Sequence, residues 1–145
     1  MRRAGHLIFV VLALVCFGCA HPDTISRTGL FAHLSVSHPQ VTRLDEAEIT
    51  VIVRNYGPTN ATINTYALES DVLSINVLNS KGEILAPVPA SIPPPDVSKY
   101  RRVLSPGASQ KFSYHGLSYE VETPPGRYTV RMRHIPSDQI VLTIR

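Results

Sequence analysis

The sequence predicts an all-β domain carried behind an N-terminal export segment, and three observations predict it. Beyond residue 30, apolar residues recur at every second position in run after run, the period of a strand buried on one face. Gly and Pro punctuate those runs at Tyr56-Gly57-Pro58, Lys81-Gly82, Ser105-Pro106-Gly107 and Pro124-Pro125-Gly126. No stretch after the first apolar run keeps helical spacing for more than about two turns.

The chain opens MRRAGHLIFVVLALVCFGC. Two arginines precede an apolar run from Leu7 to Phe17, closed by Gly18 and Cys19, which is the charged start, short apolar middle and small residue of a bacterial secretory signal. The run is far shorter than the ~20 residues a spanning helix needs, so no permanent span is expected. Two cleavage readings follow. An ordinary peptidase would cut after a small residue such as Gly18 or Ala20. Alternatively, Gly18-Cys19 resembles the end of a bacterial lipoprotein signal, with cleavage after Gly18 and a diacylglycerol thioether on Cys19 as the new N-terminus. Cys16 and Phe17 depart from that pattern, which has an aliphatic and a smaller residue there. Cysteine usage favours the lipoprotein. Cys16 and Cys19 are the chain's two cysteines, and a Cys-x-x-Cys redox pair needs a folded setting that tunes its thiols. Several acyl chains on one cysteine anchor firmly, so Cys19 is the expected lipidation site. Ala20, rather than Asp, follows Cys19 and favours the outer membrane in enteric-type bacteria.

The charge balance reads differently once that segment is set aside. The whole chain carries 14 Lys+Arg and 11 Asp+Glu, net +3; without Arg2 and Arg3 it carries 12 against 11, net +1. No basic cluster remains to neutralise a phosphate backbone, so no nucleic-acid partner is expected. The stretch AHPDTISRTG after Cys19 is polar, contains Pro and Gly, and reads as a tether. The expected organisation is a signal over 1–18, a tether over 19–29 and a β domain over 30–145.

The strands follow in order. LFAHLSVS puts Leu30, Ala32, Leu34 and Val36 on one face, against His33, Ser35 and Ser37. EITVIVRN does the same with Ile49, Val51 and Val53 against Thr50, Ile52 and Arg54. Leu73, Ile75 and Val77 alternate with Ser74 and Asn76, and NSKGE (79–83) then turns a hairpin into Ile84 and Leu85. Near the end, Tyr128, Val130 and Met132 alternate with Thr129, Arg131 and Arg133, and QIVLTIR aligns Ile140, Leu142 and Ile144. Ile52 and Val141 fall on the nominally polar side, which implies that parts of that face are covered too. About seven or eight such strands with Pro/Gly turns predict two antiparallel sheets packed face to face, an immunoglobulin-like sandwich.

The longest irregular piece, APVPASIPPPDVSKYRR (86–102), holds five prolines that cannot donate ladder hydrogen bonds, so it is expected to be a stiff extended loop. It reads as a crossover strapped over one edge, or as a recognition loop with Asp96, Lys99, Tyr100, Arg101 and Arg102 as contact groups. Arg127, Arg131 and Arg133 form a basic strip on one strand face. That strip reads as a solvated face that discourages edge-to-edge pairing, or as a contact for anionic head groups or an acidic partner.

Catalytic signals are not found. The six histidines lack His-Glu-x-x-His spacing and read as surface residues, and no metal or cofactor is expected. Neither a Gly-x-Ser-x-Gly elbow nor a phosphate-cradling Gly-rich loop occurs. Asp45, Glu46 and Glu48 read as a solvated strand entry rather than a paired acid–base device. The Asn60-Ala61-Thr62 sequon has no use in a bacterial lipoprotein.

The order of Lys81-Gly82-Glu83, the segment Pro93 to Tyr100, the turn Leu104 to Ser109, Tyr119 and the strand Pro125 to Val130 resembles the β-rich N-terminal domain of bacterial deuterolysin-like (aspzincin) zinc peptidases. The likeness runs from about residue 34 to 134. Those peptidases continue into a helical zinc domain with His-Glu-x-x-His, whereas this sequence ends at Arg145, and INTYALES (63–70) lacks the Trp expected at that point. The resemblance implies a fold and a peptidase-associated role, and transfers no catalytic residue. Together these readings predict a membrane-anchored, non-enzymatic envelope lipoprotein that binds a protein or envelope material. The alternatives are an inhibitor or chaperone of a secreted metallopeptidase, and a purely structural envelope lipoprotein.

Overall fold

A computed structural model describes residues 28–86, 96–119 and 123–145. The signal and tether readings, with Gly18 and Cys19, lie outside the described residues, as do 87–95 of the Pro-rich loop. Among the described residues no helix is long and apolar enough to cross a membrane.

The strands are β1 (Leu30–Val36), β2 (Gln40–Val41), β3 (Glu48–Asn55), β4 (Ala61–Asn64), β5 (Ile75–Leu78), β6 (Arg101–Leu104), β7 (Ser109–His115), β8 (Gly126–Met132) and β9 (Ile140–Ile144). Two short helices, α1 (Thr65–Glu69) and α2 (Asp71–Ser74), lie between β4 and β5. The chain is all-β in class. The sheets run β1-β3-β7, β2-β9-β8-β5 and β4-β6. Every pairing is antiparallel except β2 with β9, which is parallel.

Period two places the core. Ala32, Leu34 and Val36 of β1 stand opposite Val53, Val51 and Ile49 of β3, which in turn face Phe112 and Tyr114 of β7 at Val51 and Ile49. In the second sheet Tyr128 opposes Leu142, and Val130 opposes Val77 and Ile140. The buried members of both sets belong to one contiguous apolar cluster, which also takes in Ile63, Leu68 and Leu104. Burial of such alternate residues, worth about 1.5–3 kcal/mol for each large aliphatic, is the main force joining the sheets.

Four details differ from the sequence reading. Leu73 and Ser74 belong to α2 rather than a strand, which begins at Ile75. Local capping wins there: the Asn64 side chain accepts from the Ala67 amide, and Ser74 donates through both its amide and its hydroxyl to the Ser70 carbonyl. Asn76 is buried, not on a wet face, because Arg133 lies against it. Arg101 and Arg102 sit in β6, paired with Asn64 and Ile63, so the irregular segment ends before Arg101. Ile52 and Val141 are 39% and 41% exposed, not covered.

Two joints stiffen the frame. Asn55, wholly buried at the end of β3, donates through Nδ2 to the Thr59 and Leu104 carbonyls at 2.7 and 2.9 Å and accepts from the Gly57 amide at 2.9 Å. Gly29, at φ +74°, passes so close to Gly57 that a Cβ would lie 2.6 Å from its backbone, which restricts the position to glycine. The other joint is at Ala32. Its amide donates to the Pro136 carbonyl and its carbonyl accepts from the Asp138 amide, so the segment before β9 clasps the outer edge of β1.

Candidate functional site: a basic groove on the four-stranded sheet

The outward face of β8 carries Arg127, Thr129 and Arg131, because the residues between them face the core. Antiparallel pairing sets Thr129 beside Leu78 of β5 and Val141 of β9. Asn79, Ser80 and Gly82 of the hairpin after β5 and Gln139 before β9 complete an open groove of about 400 Å³. The hairpin is rigid for a local reason. Asn79 Oδ1 accepts from the amides of Lys81 and Glu83, its Nδ2 donates to the Glu83 carboxylate, and Gly82 takes φ +81°.

Among the described residues, the guanidinium groups of Arg127 and Arg131 have no ion pair or hydrogen bond; Arg133 donates through Nε to Asn76 Oδ1 at 3.1 Å. Four residues along a strand separate Arg127 from Arg131, about 13 Å. Two cations at that spacing, with amide and hydroxyl groups between them, suit an extended ligand bearing more than one negative charge. Because the groove is open to water, its charge attraction is screened by salt.

The structure therefore brings two of the three strip arginines together and ties the third to the sheet. It also corrects one reading of the strip: β8 is flanked by β9 and β5, so its arginines cannot guard an edge. Asn79, Thr129 and Gln139 were missed because sheet pairing, not sequence proximity, brings them to the arginines. The hairpin signal at 79–83 was their one visible trace.

The Asp96–Arg102 group is not a single patch. Asp96 turns back to accept from the Ser98 amide and hydroxyl, capping a 3-10 turn over Val97–Tyr100. The Ser98 hydroxyl, then its amide, hold the Asp96 carboxyl below its ordinary range. Lys99 is exposed, and the Tyr100 ring lies 5.2 Å from that of Tyr66. Arg101 and Arg102 are consecutive strand residues and point to opposite faces.

The acidic cluster is a solvated strand entry, as expected. Asp45 pairs with Arg43 at 2.7 Å, and the hydroxyl and amide of Thr42 bind Glu46, which lowers its carboxyl below the ordinary value. His38, His115 and His134 are exposed. His33 is half-exposed but partnered: its Nδ1 lies 2.8 Å from Asp138 Oδ2 and its Nε2 2.6 Å from the Tyr56 hydroxyl, with the Phe31 ring 5.0 Å away. These contacts brace the Ala32 joint. No group of three or more His, Cys, Asp or Glu among the described residues is placed to hold a metal ion.

No protein-family model matches the chain, and no curated protein matches it. Among solved structures, the chain is similar to the Pseudomonas fluorescens alkylpurine DNA glycosylase AlkC bound to DNA containing an abasic site analog. The identity is 12% and the TM-score 0.46, over 83% of this chain and 31% of that one, so this chain spans about a third of that protein. A likeness at this level carries no argument about chemistry.

Proposed function

We propose that this protein is a lipid-anchored, non-enzymatic binding module of the bacterial envelope, which takes an acidic partner on the groove between Arg127 and Arg131. The observation that carries the reading is the pair of guanidinium groups, without a partner among the described residues, on one sheet face. The Gly18-Cys19 signal supplies the anchor. An immunoglobulin-like sandwich is the finer fold we assign. Two features support it: the shared core of the two larger sheets, and the Tyr128 hydroxyl donating to the Pro124 carbonyl four residues upstream, the geometry of a tyrosine corner.

A second reading, inhibitor or chaperone of a secreted metallopeptidase, rests on the likeness to the aspzincin β domain. One observation favours it: the Asp96–Tyr100 turn is capped and braced against Tyr66, an ordered element such an inhibitor would present.

Two measurements test these readings. Replacing Cys19 with Ser should move the protein out of the membrane fraction; retention there would refute the anchor. Immobilised protein should capture an envelope component whose binding weakens by at least about tenfold between low and high salt and in Arg127→Glu/Arg131→Glu. Undiminished capture by that variant would refute the groove. If capture instead failed on altering Lys99 and Tyr100, and the component were a peptidase, the inhibitor reading would take first place.

A further inference from the structure

A second concavity lies away from the basic groove, under the two short helices. Leu30, Ile63, Leu68, Leu73, Met132 and Ile135 line it, and its volume is about 380 Å³, within the range of small-ligand sites. Its lining comes from β1, β4, α1, α2 and the end of β8, so no single element can collapse into it. The helices that roof it are held from below: the Tyr114 hydroxyl donates to the Leu68 carbonyl and also meets the Ser74 hydroxyl. Helices this short do not persist alone, so these bonds and the packing of Leu68 keep the roof in place. Thr62 and His134, both exposed, mark a polar rim beside the apolar floor. The pocket is mostly carbon inside with hydrogen-bonding groups at the mouth, the surroundings of an amphiphile with one tail.

Its position specifies the source of such a tail. Thr28 also lines the pocket, and Thr28 is nine residues from Cys19. Nine residues span at most about 30–32 Å, so a lipid on Cys19 and the bilayer that holds it both lie within reach of the mouth. We propose that this pocket binds one acyl chain of a membrane lipid. The inference rests on the anchored reading for its ligand supply, but the pocket's chemistry can be tested apart from it.

The test uses the full chain carrying Cys19→Ser, which has no lipid of its own, titrated with a fluorescent dansyl fatty acid and then with palmitate as competitor. Saturable binding of one probe per protein, displaced by palmitate, is expected. Ala67→Trp, which fills the pocket from α1, should weaken binding by about tenfold or more. Leu73→Asp, at the half-open mouth, should do the same without crowding the core, so the test survives if Ala67→Trp fails to fold. Lys111→Ala, an exposed position on β7 outside the pocket lining, should bind as the parent does. Absence of saturable binding, or equal binding by Leu73→Asp, would overturn the proposal.

The lipidated protein in phosphatidylglycerol/phosphatidylethanolamine vesicles separates the two sources. Probe excluded there but not from Cys19→Ser protein mixed with the same vesicles means that the protein's own acyl chain fills the pocket; probe excluded from both means that a bilayer lipid fills it; probe bound by both as it is without vesicles would overturn the proposal. Cys19→Ser protein that stays in the membrane fraction would sink the anchor while leaving the titration to decide the pocket.

Discussion

Asn55→Ala is the perturbation with the most defined consequence. The side chain is fully buried and serves three backbone groups at once, the Leu104 and Thr59 carbonyls and the Gly57 amide. Alanine leaves all three without that partner. The Leu104 residue is buried, so its carbonyl loses its bond with little access to water and costs about 1–3 kcal/mol. Thr59 is exposed and Gly57 partly so, and water replaces part of each bond, leaving about 0.5–1 kcal/mol apiece. The total is about 2–5 kcal/mol. For a domain of this size each kcal/mol moves the melting temperature by about 3–6 °C, so a loss of about 6–30 °C is expected. The assay is thermal unfolding followed by circular dichroism, with Asn60→Ala as control, since Asn60 is exposed and should shift by no more than about 0.5 kcal/mol. An Asn55→Ala melting point within about 3 °C of the parent would refute the reasoning, because it would mean that the turn has other sufficient support.

Three further outcomes follow from the same contacts. Tyr128→Phe removes the bond to the Pro124 carbonyl at 2.8 Å and should cost about 1 kcal/mol in urea unfolding, with no change in the denaturant slope. Gly116→Ala should cost about 1–3 kcal/mol or more by the same assay, because the residue sits at φ +92° and a Cβ would meet the Asp45 carbonyl oxygen at 2.6 Å. Stability should also decline at high pH. Burial, and then the charge of Asp71, push the Tyr119 hydroxyl above its ordinary value near 10; burial likewise raises Tyr114, opposed by the Ser74 hydroxyl. The folded state therefore keeps protons that the unfolded chain releases, so the contribution of these two tyrosines is constant below about pH 10 and is lost as pH climbs beyond it. Tyr119→Phe should flatten that decline in a pH series of melts.

The strands most legible in the sequence, β3, β8 and β9, share one property: each alternates because one face meets the core and the other is more open to water. β3, with Ile49, Val51 and Val53 buried and Glu48, Ile52 and Arg54 exposed, is the clearest case. β6 escaped notice for the opposite reason. Arg101, Arg102 and Val103 are all exposed, so β6 shows no period, and its partner β4 alternates over four residues alone, too short a run to stand out. β5 is buried through Ile75, Asn76 and Val77, and such a run does not say where it starts. The basic strip was visible as an alternation of arginines, but its place at the middle of a sheet depends on β5 and β9 arriving on either side. The contacts of His33 with Asp138, 105 residues away, left no local trace at all.

The clasp at Ala32 bears on how the protein would carry a pull. A load applied at Thr28 reaches Ala32 four residues later, where β3 holds one side of the strand and the Pro136–Asp138 segment holds the other. Tension entering there is shared between the two larger sheets at once instead of unzipping β1 from β3 one pair at a time. A pull from the N-terminal side would then be met within a few residues of where it enters, before it reaches the rest of β1.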